Sequence, residues 1–222
     1  MKVFVTGATG FIGTAVVKEL LSSGHKVLGL ARSEESAHKL KLMGAEVHKG
    51  DLTHPESLQS GALQSDAVIH LGFIHDFTRF EEVCAIDKKA IEAIGEALLG
   101  TERPFLVTSG TAIIAKESIA TENDDVKNTR HPRIATEKAV DEISAKGVKA
   151  CVIRLPPSVH GEGDDYGFIP ILIRIAKEKG ISAMINEGHN VWPAVNRLDV
   201  AQLFRLILEQ SFNRGYKVSC GG

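Results

Sequence analysis

The amino-acid sequence predicts an α/β fold built on a doubly wound parallel sheet, and three observations predict it. Short, β-branched segments alternate along the chain with longer segments of helical period. The short segments are apolar throughout, as in strands with two buried faces. The length of 222 residues suits one such domain with a small addition. Because strands separated by helices pair in parallel through right-handed crossovers, we expect helices on both faces of the sheet.

The first unit is a strand, a Gly-rich turn, a helix and a second strand. Lys2–Val5 is a short apolar run, and the helical stretch Thr14–Ser23 follows the turn. Gly24 is placed to end this helix, and Lys26–Ala31 is the second strand. One side of the helix carries four apolar residues, Val16, Val17, Leu20 and Leu21.

The same signals predict the remaining elements in order. Further strands are expected at Glu46–Lys49, Ala67–Leu71, Phe105–Thr108 and Ala150–Leu155. Further helices are expected at Glu34–Met43, Glu56–Leu63, Phe80–Leu99, Arg133–Lys146, Phe168–Lys179 and Leu198–Gln210.

Composition narrows the classes of function. Lys and Arg number 26 and Asp and Glu number 28, so the formal charge of −2 gives no positive field for nucleic acid or an anionic membrane. No apolar run is long enough to span a bilayer, and the first residues do not resemble a signal peptide. The three cysteines lie far apart without metal-ligand or redox spacing. We therefore expect a cytoplasmic protein without a metal site.

The first turn reads Thr6–Gly13 and carries glycines at a spacing of three. The first glycine permits the tight turn, the second lets a pyrophosphate approach the backbone, and the third lets the helix pack on the strand. The helix N-terminus adds unpaired N–H groups. Because a strand precedes this turn and a helix follows it, the pattern predicts dinucleotide binding rather than a flexible loop. The expected contacts are Gly7, Thr9, Gly10, Phe11, Ile12 and Gly13.

The end of the second strand discriminates between cofactors. NAD-binding proteins usually place Asp or Glu there to accept a hydrogen bond from the ribose 2′-hydroxyl. This chain has Arg32 and Ser33, and its first carboxylate is Glu34. Arg32 is suited to pair with a 2′-phosphate, and Ser33 to add a hydrogen bond. A solvated surface arginine is the alternative. The sequence favours NADP, with NAD as the second choice.

Two later strands end in further cofactor candidates. Asp51 and Leu52 follow the third strand, where they could meet the adenine, although Asp51 could equally cap a helix or turn. Leu71 and Gly72 follow the fourth strand at the carboxyl edge, where ligands bind in such sheets.

Four segments together resemble a known family. They are Thr6–Gly13, Gly50–Leu52, His70–Gly72 and Arg154–Gly163. This set is similar to the extended short-chain dehydrogenase/reductases, also called the NAD-dependent epimerase/dehydratase family, and the likeness covers nearly the whole chain. The resemblance implies a Rossmann fold and chemistry on a small carbonyl or hydroxyl substrate. It also implies that 156–163 lines the nicotinamide, with Pro156 and Ser158 as contacts.

The resemblance also implies a division of the chain. Residues 1–155 correspond to the NAD(P)-binding domain, and 156–222 to a partial substrate-binding region interleaved with it. The family carries a larger C-terminal lobe, so we expect a shortened substrate cap, and truncation stays open as its explanation. A homodimer also stays open.

The family's catalytic pair is absent from its expected place. The family uses a Tyr and a Lys four residues later, because a nearby ammonium lowers the pKa of the phenol and allows it to exchange a proton. Aligning Pro132 with the family's proline puts Arg133 and Glu137 at the two positions. Aligning Lys138 instead puts Ile134 at the tyrosine position. In both alignments the tyrosine is missing.

Other residues are candidates for the missing chemistry. Arg133 cannot act as an ordinary base, but it could anchor a carboxylate or phosphate or stabilise an oxyanion. An i, i+4 salt bridge with Glu137 is the structural alternative. His75 and His160 carry imidazoles suited to proton transfer near neutral pH, although each could be a surface or structural histidine.

The hydroxyl that the family places after the fifth strand is ambiguous, because both Ser109 and Thr111 lie there. We take Thr111, Arg133 and His160 as the catalytic candidates. The first hypothesis is an NADP-dependent oxidoreductase or epimerase-like enzyme that acts on a small substrate with a nonstandard proton donor. The second is a non-catalytic NAD(P)-binding sensor or regulatory protein.

Overall fold

The computed structural model describes residues 1–114, 119–124, 126, 130–210 and 212–219, and it confirms the doubly wound α/β fold. The strands are β1 Lys2–Thr6, β2 Lys26–Ala31, β3 Glu46–Lys49, β4 Ala67–His70, β5 Phe105–Gly110, β6 Ala150–Leu155, β7 Ser158–His160, β8 Ala194–Asn196 and β9 Tyr216–Ser219. The α-helices are α1 Phe11–Ser22, α2 Glu34–Met43, α3 Pro55–Leu63, α4 Phe80–Leu98, α5 Ile134–Ala145, α6 Phe168–Lys179 and α7 Arg197–Glu209.

Seven strands form one parallel sheet in the order β3-β2-β1-β4-β5-β6-β9. From β1 the chain first builds outward to β3, then returns to place β4 on the other side of β1. The connections that leave β1 and β4 therefore diverge at their carboxyl ends. This is the point of an open α/β sheet at which a ligand crevice forms.

Helices cover both faces of the sheet and bury two apolar layers. One layer joins the sheet to α1, α2 and α7, with Val16, Leu20, Leu40 and Phe204 almost completely buried. The other joins it to α3, α4 and α5, with Leu58, Ile91, Ile94 and Val140 fully buried. Alternate residues of each strand face opposite layers, so Leu106 faces the first while Phe105 and Val107 face the second.

The C-terminal part of the chain differs most from the sequence prediction. Three short strands were not predicted: β7 and β8 pair with each other, and β9 extends the main sheet beside β6. Each has only three or four residues of mixed polarity, too few to show a strand period. Through α7 and β9, the residues after 155 also belong to the main sheet and its helical layer.

Helix α6 has an apolar row on its surface and no buried residue. Ile169, Leu172, Ile173 and Ile175 are each between 42% and 51% exposed. The segment 181–192 that follows is exposed throughout. In the described part of the chain, no helix combines the length and the apolar character needed to cross a membrane.

Candidate cofactor and substrate site

The Gly-rich turn packs against the exit of β4 and requires its glycines. Gly7 has a φ of +66°, and a Cβ there would lie 2.8 Å from the backbone nitrogen of Gly72. A Cβ on Gly13 would lie 2.0 Å from the Gly7 carbonyl oxygen. No side chain caps the N-terminus of α1, and its first turn carries no acid. The turn therefore presents backbone N–H groups and a positive helix end to an anion.

The structure brings the candidates from the third and fourth strands to this turn. The Gly72 N–H donates to Thr6 Oγ1 over 3.0 Å, which ties the β4 exit to the end of β1. The Leu52 side chain comes within 3.0 Å of the position that a Gly72 Cβ would occupy. Leu71 packs in part against the core beside them. These residues thus form one side of the crevice.

A groove of about 420 Å³ opens beyond the end of β2. Its lining includes Arg32, Ser33 and Asp51, three of the predicted cofactor contacts. Ser33 is also the N-cap of α2, where its hydroxyl accepts the Ser36 N–H over 3.2 Å. Arg32 is exposed at the mouth of this groove.

Asp51 adopts the turn alternative that its sequence context allowed. Its Oδ1 accepts hydrogen bonds from the backbone N–H and the hydroxyl of Thr53, at 2.8 and 2.7 Å. Burial raises the pKa of Asp51, but the Thr53 bonds and the charge of Arg32 outweigh this effect, so the pKa lies below its ordinary value. Asp51 is therefore ionised at neutral pH beside Arg32.

Arg133 does not form the predicted salt bridge with Glu137. Its Nη2 donates to the Thr108 carbonyl at the end of β5, over 3.3 Å, and its guanidinium lies 3.5 Å from the ring centre of Phe73. Arg133 is the residue directly before α5, and its side chain makes no cap hydrogen bond to the helix. Its bond to Thr108 places the guanidinium beside the end of β5. The i, i+4 spacing does not lead to an ion pair here, because Glu137 binds Arg154 of β6 instead.

Glu137 belongs to a buried ionic cluster. Its two oxygens accept from Nε and Nη2 of Arg154, both over 2.8 Å, and both side chains are fully buried. Ser109 donates to the same carboxylate over 3.0 Å, and Lys217 lies 3.3 Å away. Burial raises the pKa of Glu137, but the Arg154 and Lys217 charges and the hydrogen bonds outweigh it, so the net pKa lies below its ordinary value.

The cluster separates the two candidate hydroxyls after β5. Ser109 is committed to Glu137, whereas the Thr111 hydroxyl is buried with no hydrogen-bond partner among the described residues. The same holds for the Thr108 and Ser158 hydroxyls, which lie where β5 and β6 end. Buried hydroxyls normally have a hydrogen-bond partner, so these three are candidates to bond a water or a polar atom of a ligand.

A second buried network runs from β1 to α5. Thr6 Oγ1 contacts His70 Nδ1 at 2.8 Å, His70 Nε2 contacts Asp87 Oδ1 at 3.2 Å, and Thr136 donates to Asp87 Oδ2 over 2.5 Å. Since an Asp87 carboxylate oxygen can only accept a hydrogen bond, this pattern assigns a proton to His70 Nε2. Burial raises the pKa of Asp87, but these bonds and the charge of Arg133 outweigh that effect, so the net pKa lies below its ordinary value.

The two candidate histidines occupy different surroundings. His75 is exposed, but its ring packs on Phe73, with centroids 5.4 Å apart. Desolvation lowers the pKa of His75, and the charge of Arg133 lowers it further. His160 is exposed on β7, next to Asn196 of β8. No contact within the described residues joins His160 to Arg133.

Several residues at this edge escaped the sequence analysis. Phe73 supplies the surface on which Arg133 stacks, and Asp87 is a buried acid in the middle of an amphipathic helix. Arg197 lies over the ring of Phe11, 4.9 Å from its centre, and packs on the loop that contains Gly161. The one signal available for Asp87 was its place in the apolar stripe of α4, four residues after Val83 and four before Ile91.

Neither Tyr166 nor Tyr216 contacts the start of α5 through a hydrogen bond or ring contact within the described residues. Tyr166 is 85% exposed, and Tyr216 lies at the sheet edge on β9. Within the described residues, no three His, Cys, Asp or Glu side chains gather in a way that could hold a metal ion. Pro156 is buried directly after β6, beside the unpaired Ser158 hydroxyl.

Comparisons with known proteins agree with this architecture. Residues 3–221 match the NAD dependent epimerase/dehydratase family. An uncharacterized protein of Saccharomyces cerevisiae is 50% identical over 213 residues, covering 95% of this chain and 71% of its own length. The sterol-4-alpha-carboxylate 3-dehydrogenase, decarboxylating, of Dictyostelium discoideum is 31% identical over 237 residues, which cover 96% of this chain and 69% of that protein.

Solved structures share the fold at lower identity. The crystal structure of UDP-glucuronic acid 4-epimerase from Bacillus cereus, in complex with UDP-glucuronic acid and NAD, superimposes with a TM-score of 0.82 at 19% identity. The match covers 100% of this chain and 78% of that one. With the family match over nearly every residue, the conclusion is direct: this chain belongs to the NAD-dependent epimerase/dehydratase family.

Proposed function

We propose that the protein is an NADP-dependent oxidoreductase or epimerase-like enzyme acting on a small carbonyl or hydroxyl compound. The observation that carries the proposal is the packing of Gly7 and Gly13. A side chain at either position would collide with backbone atoms of the same turn or of the β4 exit. That packing keeps the uncapped N-terminus of α1 open to a pyrophosphate.

The groove beyond β2 supports NADP over NAD. Arg32 lies at its mouth, and Glu34, the first acid after β2, is ion-paired with Lys49. A 2′-phosphate next to Arg32 would gain a charge-assisted hydrogen bond, whereas neither of the two residues that follow β2, Arg32 and Ser33, is an acid that could receive a 2′-hydroxyl. NAD remains the alternative cofactor, and Bacillus cereus UDP-glucuronic acid 4-epimerase is a relative in fold whose structure contains it.

Replacing Arg32 tests the cofactor assignment. Arg32→Asp should weaken NADP binding by roughly ten- to a hundredfold, the value of a hydrogen bond to a charged group, and should change NAD binding little. Lys39→Asp is the matched control, because Lys39 carries the same charge on α2 and pairs with Glu35 outside the groove. Calorimetric titration with both cofactors measures the effect. Equal losses for NADP and NAD would contradict the assignment.

The chain's own residues divide the chemistry at the carboxyl edge. Bound NADPH would supply the hydride. Thr111 is proposed to hold the reacting substrate oxygen through its unpaired hydroxyl, and Arg133 to hold the substrate through its charged donor. An imidazole is proposed to transfer the proton. His160 is the candidate from the sequence, and His75 is favoured by its packing beside Arg133.

Consumption of NADPH against a panel of aldehydes, ketones and hydroxy compounds tests the activity. Turnover that falls strongly in Thr111→Val, and in either His75→Asn or His160→Asn, supports the proposed division of roles. Tight NADPH binding without turnover of any compound would contradict the enzyme function.

One observation favours a second function, the non-catalytic sensor. In the alignment on Pro132, Glu137 stands at the position that the family fills with lysine, and it is held in a buried pair with Arg154. If the protein is a non-catalytic sensor, it turns over no substrate, and Arg133→Ala should leave NADP binding unchanged. A substrate whose turnover collapses in Arg133→Ala would exclude the sensor.

The remaining assignments belong to the same proposal. We assign cofactor binding to residues 1–155 and substrate binding to 156–222, interleaved in one domain. We further propose a cytoplasmic protein that binds a small-molecule substrate, and neither nucleic acid nor a membrane, with a homodimer as its assembly. Light scattering tests the dimer, and a fluorescent fusion tests the location.

A further inference from the structure

Arg133 is a charged group whose hydrogen-bonding capacity is mostly unused. A guanidinium has five N–H donors, and the described contacts of this one are a single bond to the Thr108 carbonyl and the stacking on Phe73. No carboxylate of the described residues lies within ion-pair distance of it. The side chain is nevertheless half-buried. A half-buried charge without an anionic partner is costly, and a ligand anion would relieve that cost.

The two nearby acids are not available to Arg133. Asp87 acts on it only through its charge, because both Asp87 oxygens are bonded to His70 and Thr136. Glu137, one turn further along α5, is bound through both oxygens to Arg154. The negative charge of Asp87 therefore acts on Arg133 only from a distance. Among the described residues, the one direct acceptor for the guanidinium is the Thr108 carbonyl.

The backbone N–H groups at the start of α5 already have hydrogen-bond partners. The N–H groups of the first helical residues are bonded to the carbonyls of His131, Pro132 and Arg133, at 3.0 to 3.2 Å. The anion site at this helix is therefore the guanidinium and not the helix end.

Aromatic rings surround the guanidinium on one side. Phe73 lies under it, Phe80 contacts Phe73 edge-on at 6.3 Å, and His131 contacts Phe80 at 5.5 Å. These rings exclude water, which strengthens an ion pair formed there. Because Phe73 covers one face of the planar guanidinium, the N–H groups along the edge of the guanidinium are the ones left to bind an anion. Two parallel N–H groups at such an edge match the two oxygens of a carboxylate.

The location points to the substrate as the source of that anion. Thr108 lies near the end of β5, and Thr111 is the first residue after the strand. Both hydroxyls are buried without a partner among the described residues. They belong to the same carboxyl edge as the Gly-rich turn. Arg133 therefore stands beside the place where a substrate of the proposed enzyme would react.

We propose that Arg133 binds a carboxylate group of the substrate, so that the protein acts on a small carbonyl or hydroxyl compound that is also a carboxylic acid. This inference rests on the proposed function only in that it identifies the bound acid as the substrate. The anion site itself stands on the unpaired guanidinium, and it can be tested without turnover.

Matched acids and amides provide the test. Butyrate and benzoate are titrated against the NADPH-saturated protein, with butyramide and benzamide as neutral partners of the same shape. Binding is followed by NMR through the side-chain Nε–H signal of Arg133 in arginine-labelled protein. Each acid should bind at least tenfold more tightly than its amide, because hydrogen bonds between charged groups exceed those to a neutral acceptor by this factor.

Three variants make the test specific. Arg133→Gln should remove the preference for acids, and Arg133→Lys should keep part of it, because lysine retains the charge but not the planar fork. Arg79→Gln is the control, since Arg79 is an exposed cation already paired with Asp76 and Glu82. It should leave the preference unchanged. For each of the three variants, calorimetry measures the ratio of the affinity for the acid to the affinity for the amide.

The outcomes separate this inference from the proposed function. Equal binding of acids and amides to the wild type would overturn the carboxylate site, as would an acid preference that survives in Arg133→Gln. Tighter binding of methyl phosphate than of either acid would overturn the carboxylate in favour of a phosphate ester. A protein that fails to bind NADPH would contradict the proposed function alone, because the same titrations can be run without cofactor.

Discussion

Loss of the Glu137 charge should destabilise the protein more than any other single change of one charge on α5. Arg154 and Glu137 are both fully buried and are joined by two hydrogen bonds of 2.8 Å. Glu137→Gln keeps the shape of the side chain but removes the buried carboxylate that the charges of Arg154 and Lys217 face. Breaking a buried pair in this way costs about 3–5 kcal/mol. For a chain of this length, that corresponds to a fall in Tm of about 6–20 °C.

Urea unfolding followed by circular dichroism measures this loss. Glu142→Gln is the control on the same helix, because Glu142 is half exposed and lies 3.5 Å from Lys88, so its removal should cost less than about 1 kcal/mol. Similar losses in the two variants would refute the reasoning that burial of the pair determines its contribution.

Acid should close the gap between wild type and Glu137→Gln. The pKa of Glu137 in the folded protein lies below its ordinary value of 4.5. Its contribution to stability is therefore present above pH 4.5, and it is lost as the pH falls through the folded-state pKa. The variant has no such group, so its stability should fall less steeply over that range. Parallel pH profiles for the two proteins would contradict the assigned shift.

Three further predictions concern the candidate site. Gly13→Ala should abolish detectable NADPH binding by calorimetry and cost about 1–3 kcal/mol in urea unfolding, because its Cβ would lie 2.0 Å from the Gly7 carbonyl oxygen. Asp87→Asn should cost about 1–3 kcal/mol in the same assay, since an amide cannot accept from both His70 and Thr136, and no loss would exclude the buried network. If His75 donates the proton, NADPH oxidation should speed up as the pH falls below the ordinary histidine pKa of 6.5, and His75→Asn should flatten this rise; a rise that persists there would transfer the role to His160.

The fold was predictable because its signals are local. The alternation of strands and helices, the glycines at the first turn and the stops at Gly24 and Gly44 each depend on neighbouring residues. Those stops have φ values of +82° and +87°, which glycine adopts without strain. The short strand β9 was not predictable in this way, because it is stabilised by its pairing with β6 about sixty residues earlier.

The site was predictable only in part, for a related reason. The cofactor turn lies within eight consecutive residues, whereas the surroundings of Arg133 come from β4, β5 and α4. Helical spacing assigned Arg133 to Glu137, and it could not reveal that Arg154 of β6 reaches the same carboxylate. The hydrogen bond that Ser109 donates to Glu137 was equally hidden, because no pattern in the sequence reports which hydroxyl a distant acid will bind.

The exposed helix α6 has a consequence for the heat capacity of unfolding. Apolar surface that becomes hydrated on unfolding accounts for most of the positive heat-capacity change, roughly 12–15 cal/mol/K per residue. Residues 168–192 include no fully buried side chain, so much of their apolar surface is already hydrated in the folded state. They make up about a ninth of the 222 residues, and the heat-capacity change should fall short of the value for the chain length by a part of that fraction. The stability curve of this protein would then be flatter with temperature than that of a fully packed domain of equal length.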